Sequence, residues 1–295
     1  MDFVKYFLIA GYISVLLLFN SCTPKGIDID VEPAESKIVV ASQIVPQKNI
    51  IVSLTKSFSP LEPIATTEQV AQDALNKFLV NNAFVTVSYN GQVDTLDMLV
   101  PGIYISTNTL LTNYNNYTLN VYEPSTGLSA SALTTMLPQV PFDTVYPIIT
   151  RTPVDTTVAI RYILTDNPNE ENYYVINYIL KQSSGGANLD ISSYFGNGSN
   201  KILSSYELLN DASFTNNVYT HLSTLEDVTP NDSIAVEVAN ITRGYYEFLT
   251  ASKRTGGLLT QLTSEPIHFP TNVVNGYGYF NAYYPNAKVF SLSDY

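Results

Sequence analysis

Val85-Thr-Val-Ser-Tyr89-Asn90-Gly91-Gln-Val93-Asp-Thr-Leu-Asp-Met98 is the stretch that decides the fold. Val85, Val87 and Tyr89 alternate with short polar residues, the period-two pattern of a half-buried strand. Asn90-Gly91 follows, a pair that tolerates positive φ at both positions, as a two-residue type I′ hairpin requires. Val93 to Met98 is then the returning strand. Outward from this hairpin the same grammar repeats. Pro101-Gly102 marks a turn into a strand over Gly102 to Ser106, and Tyr117, Leu119 and Val121 alternate with polar partners through Tyr122. Upstream, Ile50, Val52, Leu54 and Phe58 fall on one face, with Ile51, Ser53, Thr55 and Ser57 on the other. Short strands at this spacing predict a sandwich.

One segment departs from period two. Val70, Ala71, Ala74, Leu75, Phe78 and Leu79 recur at helical spacing between Thr66 and Asn81, and Thr66 with Gln69 makes a capping box. The inserted helix either covers an open sheet edge or presents a face to a partner. Pro138, Pro141 and Pro147 then mark a boundary, because proline removes a ladder donor and stiffens the backbone.

Beyond the prolines, Val158, Ile160, Tyr162 and Leu164 share a strand face, followed by the turn Asp166 to Glu171. Tyr173 to Leu180 is apolar on both faces except at Asn177, which predicts a central, doubly covered strand. Gly185, Gly186, Gly196 and Gly198 lie in a polar surface loop over residues 181 to 200. Ile234, Val236 and Val238 alternate between Asp232 and Asn240. Thr242 caps a helix with Tyr245, Phe248, Leu249 and Ser252 on one face, stopped by Gly256-Gly257. The fold class expected is mainly β, two tandem β-sandwich domains of immunoglobulin or fibronectin-III type with two short inserted helices. The organisation is a signal peptide over 1–21, a tether over 22–36, an N-terminal sandwich over 37–138 and a C-terminal one over 139–295 with a helix near 242–255.

Composition fits an exported β-protein: 45% hydrophobic, 14% charged and 22 tyrosines. The balance of 14 basic against 26 acidic residues gives a net charge of −12, which repels phosphate backbones and argues against nucleic-acid binding. The N-terminus carries an uninterrupted apolar run from Tyr6 to Phe19, shorter than the roughly 20 residues a spanning helix needs. Asn20-Ser21-Cys22 follows it, and Cys22 is the sole cysteine. A lone thiol after a small residue at the end of such a core is what lipoprotein processing alkylates and exposes as the new N-terminus. Phe19 and Asn20 depart from the usual lipobox, and Asp2 opposes Lys5 in the n-region. Lipidation at Cys22 nevertheless explains why the only thiol stands there, and two or more acyl chains anchor stably.

Ser264-Glu-Pro-Ile-His-Phe-Pro-Thr-Asn-Val-Val-Asn-Gly-Tyr-Gly-Tyr-Phe280 resembles the closing signature of the family called domain of unknown function 4249. The resemblance extends to Tyr245-Tyr246, to Lys37-Ile-Val-Val-Ala-Ser-Gln-Ile44 after an acidic tether, and to Pro101-Gly102-Ile-Tyr104. It implies an outer-membrane lipoprotein of Bacteroidota at the cell surface, often encoded beside TonB-dependent β-barrel transporters. An accessory or ligand-capture role follows, with a surface adhesin or a structural subunit of an envelope assembly or secretion complex as the alternative. The family brings no catalytic residues, and the segment over Thr66 to Asn81 departs from its usual strand-to-strand passage. Asp28, Asp30, Glu32 and Glu35 in the tether read either as an anionic export tag or as a solvated linker.

Candidate modification sites are Thr95, Thr144 and Ser233, each following Asp and preceding an apolar residue in the pattern that Bacteroidota O-glycosylate. Asp155-Thr156-Thr157 is a looser match. No nucleophile elbow, phosphate loop or dinucleotide fingerprint occurs, so no enzyme, cofactor or metal is expected. His221 and His268 are isolated from zinc-like spacing. Asp166, Asn169, Glu170 and Glu171 offer hard oxygens suited to Ca²⁺, but their spacing matches no recognised calcium loop, so a solvated turn is the expected reading. Tyr277, Tyr279, Tyr283 and Tyr284, with Phe280, form the candidate partner or ligand surface, against the alternative that they pack.

Overall fold

The computed structural model describes residues 35–57, 78–109, 116–152, 156–181, 203–225, 228–254 and 269–295. The opening hairpin is β3 (Phe84–Tyr89) and β4 (Gln92–Val100). Asn90 and Gly91 sit at φ 49° and 73°, the left-handed pair that the turn requires. Tyr89 lies opposite Gln92, and Asp94 and Leu96 point inward.

Around this hairpin stand β1 (Ile38–Ile44), β2 (Asn49–Lys56), β5 (Ile103–Thr109), β6 (Asn116–Glu123) and β7 (Leu128–Thr135). Two more strands come from the far end of the chain, β14 (Val273–Val274) and β15 (Gly276–Ala282). The order is β14-β7-β6-β3-β4-β5-β2-β1-β15. Since β14 pairs with β7 and β15 pairs in parallel with β1, one residue apart in sequence, the sheet is nearly closed on itself. Its interior holds Ile38, Val40, Ile50, Val52, Leu54, Val85, Val87, Leu119 and Phe280. Lys56 reaches Glu123 at 2.8 Å from a strand that is not its neighbour in the sheet.

The remaining strands are β8 (Thr144–Arg151), β9 (Thr156–Thr165), β10 (Tyr173–Lys181), β11 (Leu203–Asn210), β12 (Val218–Leu225), β13 (Ser233–Asn240) and β16 (Asn286–Ser291). They form a three-stranded sheet, β12-β9-β8, and a four-stranded sheet, β11-β10-β13-β16. One core joins the two, since Val158, Ile160, Tyr162 and Leu164 pack with Tyr174, Ile176, Tyr178, Ile234, Val236 and Val238. The helix α1 (Arg243–Arg254) follows β13, with the Tyr245 N–H reaching the Thr242 hydroxyl at 3.4 Å as its cap.

The chain is therefore mainly β. It was expected as two tandem sandwiches, and the difference lies in the C-terminal segment: β14 and β15 complete the first sheet, so sheet membership does not follow the 37–138 and 139–295 division. Pro147 is not in a connector but within β8, an edge strand where a missing N–H breaks no ladder. The expected strand over Tyr173 to Leu180 is central, flanked by β11 and β13. Of the two expected helices, α1 is seen. The helix expected over Thr66 to Asn81 lies outside the described residues except for its last four positions, where Leu79 makes a β-bridge to Thr55 and Val80 is buried. Among the described residues no helix is long and apolar enough to cross a membrane.

Candidate functional site

The described residues of the quoted signature, Thr271 to Phe280, converge on the seam of the nine-stranded sheet. Asn272 acts there as a side-chain substitute for backbone pairing. Its Nδ2 donates to the Leu133 carbonyl of β7 at 2.9 Å and to the Phe280 carbonyl at 2.7 Å, while its Oδ1 accepts from the Phe280 N–H at 2.9 Å. Thr271 Oγ1 donates to the Gly278 carbonyl at 2.7 Å. Gly276 and Gly278 permit the closure. A Cβ on Gly278 would lie 2.0 Å from the Val40 carbonyl oxygen, and one on Gly276 2.5 Å from that of Ile38. Gly278 also has φ 87°, a conformation costly to any other residue.

Directly beyond the seam, Tyr279 packs against α1. Its ring centroid is 5.2 Å from that of Tyr245 and 5.3 Å from that of Phe248. Gly244, in the first turn of α1, makes room: a Cβ there would meet the Tyr279 hydroxyl at 2.5 Å. Gln43 of β1 donates through Nε2 to the Tyr245 hydroxyl at 2.8 Å and accepts from the Tyr283 hydroxyl at 3.3 Å. Burial raises the Tyr245 hydroxyl to about 12, against a smaller lowering by its bond to Gln43. Asn281, on the same strand, is fully buried with neither amide atom bonded. Leaving such groups unpaired costs about 1–3 kcal/mol, which this joint carries without a visible compensation.

Of the four tyrosines read as a partner or ligand surface, Tyr279 and Tyr283 are thus buried in the joint. Tyr284 is half-buried against the first core. Tyr277 alone is open, 48% exposed with the Lys37 ammonium 5.4 Å from its ring centre.

A second cluster occupies the open side of the sandwich. Glu207 on β11 receives the Tyr162 hydroxyl at 2.8 Å on Oε2 and the Tyr178 hydroxyl at 3.1 Å on Oε1. His221 Nε2 stands 3.2 Å from the same Oε1, and its ring stacks on Tyr219 at 5.7 Å and 15°. Burial, then the neighbouring Tyr178 and Glu207, pushes the Tyr162 hydroxyl far above its ordinary value; burial and Glu207 push Tyr178 up likewise. Glu207 and Tyr178 belong to one sheet, Tyr162 and His221 to the other. The arrangement is a polar clasp across the sandwich, with both carboxylate oxygens occupied and both hydroxyls held protonated.

Two further carboxylates are similarly committed. Glu123 is opposed by burial, which raises its pKa, but hydrogen bonds from Lys56, Thr126 and Ser125 and the charge of Lys56 outweigh it and hold the carboxyl below its ordinary range. Asp166, in the turn that offers hard oxygens, is buried and accepts from the Tyr174 hydroxyl at 2.6 Å. Among the described residues no three His, Cys, Asp or Glu gather as metal ligands. A surface cleft of about 240 Å³ is lined by Glu171, Tyr173, Asn210, Asp211 and Ala212. That is below the about 300–1,000 Å³ usual for small-molecule sites.

The three modification patterns differ in exposure. Thr95 is exposed on β4, but Asp94 beside it is buried and bonded by Asn108 at 2.9 Å. Ser233 is half-buried, and Asp232 is fully buried, accepting the Thr229 N–H at 2.7 Å. Only at Asp143-Thr144 are both residues exposed. Cys22 and His268 lie outside the described residues.

Sequence reasoning missed Glu207 and Asn272 because their partners are remote in the chain. The only signal was the carboxamide inside the quoted signature. No curated protein matches the chain. The family model for a domain of unknown function, DUF4249, matches residues 25–288, nearly everything beyond Cys22, and by that match the chain belongs to the DUF4249 family.

Proposed function

We propose that this protein is a non-enzymatic lipoprotein of the outer membrane, anchored through Cys22 at the cell surface, that serves a TonB-dependent β-barrel transporter as an accessory or ligand-capture partner. The observation that carries the reading is positional. The sole cysteine follows an apolar leader and stands three residues before residue 25, where the family match begins. The commitment of Glu123, Glu207 and Asp166 to internal partners favours a binding role over hydrolysis, which needs carboxylates free to exchange protons. If glycosylation occurs, Asp143-Thr144 is the pattern whose exposure suits it best. The finer reading of the fold, tandem sandwiches, is supported in the second half by two facing sheets around one core. The near-closure of the first sheet favours a barrel there.

Affinity purification of a tagged, full-length copy from envelopes tests the role. A stoichiometric β-barrel transporter is expected in the eluate. Recovery of the chain alone, or with non-transport envelope components as an adhesin or assembly subunit would give, overturns it.

A further inference from the structure

The two sheets of the sandwich end in β8, β11, β12 and β16, and three of these edges are guarded. In β8, Pro147 lacks the N–H that would point outward from the middle of the strand. α1 covers β11: the Lys253 ammonium donates to the Tyr206 carbonyl at 3.3 Å, and the Tyr206 hydroxyl donates to the Leu249 carbonyl at 3.4 Å. β16 carries Lys288 at its centre, and Arg151 of β8 donates to the Leu292 carbonyl just past its end at 2.6 Å. Prolines, lysines and covering helices are the usual devices that keep a sheet edge from pairing with another chain.

β12 has none of them. Its sequence, Val218-Tyr-Thr-His-Leu-Ser-Thr-Leu225, contains no proline, glycine, lysine, arginine or carboxylate. The Asp166 N–H bonds the Asn217 carbonyl at 2.9 Å, so the odd-numbered residues of β12 turn their main-chain groups toward β9. Val218 turns the other way and exchanges bonds of 3.1 and 3.0 Å with Thr215. By the same alternation Thr220, Leu222 and Thr224 aim their N–H and C=O groups out of the sheet, and among the described residues nothing pairs with them there.

We infer that β12 pairs antiparallel with β12 of a second copy about a two-fold axis through Leu222, joining the two three-stranded sheets edge to edge. The strand's own pattern selects that occupant. The outward-bonding positions read Thr-Leu-Thr in both directions, so the axis sets Leu222 against its own copy and Thr220 against Thr224, each pair exchanging main-chain bonds. Those side chains share the exposed face, where Thr–Thr and apolar pairs are favourable cross-strand neighbours. On the inner face the same register sets His221 against Ser223 and Tyr219 against Leu225. No like charges meet within the paired strands, although the whole chain carries −12. The inference goes beyond the transporter reading and does not rest on it.

The test introduces single cysteines into the full chain in its native envelope and adds a mild oxidant to intact cells. Leu222→Cys should give a disulfide-linked dimer on its own, since opposed residues that exchange bonds lie about 5.5 Å apart between Cα atoms, within disulfide reach. Thr220→Cys and Thr224→Cys should each give little alone, being four residues or about 13 Å out of register with themselves. Co-expressed, the two should link. Adding Leu222→Lys to both co-expressed copies should lower that yield at least about tenfold, because it sets like charges opposite at an edge, while leaving the urea midpoint unchanged. Four results would overturn the pairing: no dimer from Leu222→Cys, Thr220→Cys linking to itself as readily as to Thr224→Cys, a yield indifferent to Leu222→Lys, or a Leu222→Cys adduct only with another protein. The parent, whose sole cysteine is Cys22, should give no dimer. A parent linked through Cys22 would overturn the anchor, and the register pattern at Thr220 and Thr224 would still decide the pairing.

Discussion

The nine-stranded sheet and the sandwich each hold a glutamate against internal partners, and they neutralise it in different ways. In the first, Glu123 is 2% exposed and faces the Lys56 ammonium across the interior. In the second, Glu207 is 24% exposed and is held by two phenolic hydroxyls and a half-exposed imidazole. In the nearly closed sheet the carboxylate itself is shielded from water, and a full opposite charge offsets that desolvation. A sandwich with an open side lets solvent share the load, so hydroxyl donors suffice. The two halves should therefore fail at opposite ends of the pH scale.

The largest effect expected is on closure. Gly278→Ala puts a Cβ 2.0 Å from the Val40 carbonyl oxygen in a left-handed conformation, and it should cost more than about 3 kcal/mol in urea unfolding, the range reserved for backbone clashes and buried disruption. Gly91→Ala has a similar positive φ but open space around it, so it should cost only about 1 kcal/mol. Equal losses for the two would show that conformation alone, not the approach of β15 to β1, explains Gly278.

Next in size is the internal ion pair. Lys56→Met strands a buried carboxylate and should cost about 3 kcal/mol, whereas the double change with Glu123→Leu should recover much of that. Because the folded Glu123 carboxyl lies below its ordinary 4.5, its contribution is present above that value and is lost as pH falls through the folded pKa. Glu123→Gln should accordingly flatten the acid limb of a stability-versus-pH curve. A wild-type acid limb would contradict the assignment.

The clasp comes third. Tyr162→Phe should cost about 1 kcal/mol, the usual worth of one hydrogen bond. Its hydroxyl and that of Tyr178 have folded pKa values raised above the ordinary 10.0. Their stabilisation is complete below that value and declines as pH rises through the folded pKa. The variant should lose stability less steeply than the parent above about pH 10, and an unchanged alkaline limb would refute the clasp's role. Arg161→Glu, on the exposed side of β9, should have the smallest effect on folding, within about 0.5 kcal/mol of the parent.

The same contrast governs how much could be read from the sequence. Strands whose buried side is large and whose outer side is polar were legible: Ile50, Val52 and Leu54 in β2, Val85 and Val87 in β3, and Val158, Ile160, Tyr162 and Leu164 in β9 are all buried as alternation predicts. Thr242 was legible as a cap because capping is local. β7 was not, since its inward residues are the small Ala130 and Ala132. Nor was β12, where Tyr219, His221 and Leu225 face in while Val218 and Leu222 face out, so hydropathy hardly alternates.

Closure was beyond any local pattern. Asn272 and its acceptor Leu133 are 139 residues apart, and the need for glycine at 278 is created by a carbonyl of β1. The signature's aromatics were visible as a group, but which of them pack was not. That depends on Gly244 leaving room for Tyr279 and on Gln43 bonding Tyr245 and Tyr283. Glu207 and His221 meet only because their strands are edges of facing sheets.

Intact mass spectrometry of the native chain extracted from membranes tests the account most directly. It should give a polypeptide beginning at Cys22 and carrying a thioether-linked diacylglycerol. A soluble chain bearing a free, unmodified Cys22 thiol would contradict the anchor and the envelope partnership drawn from it.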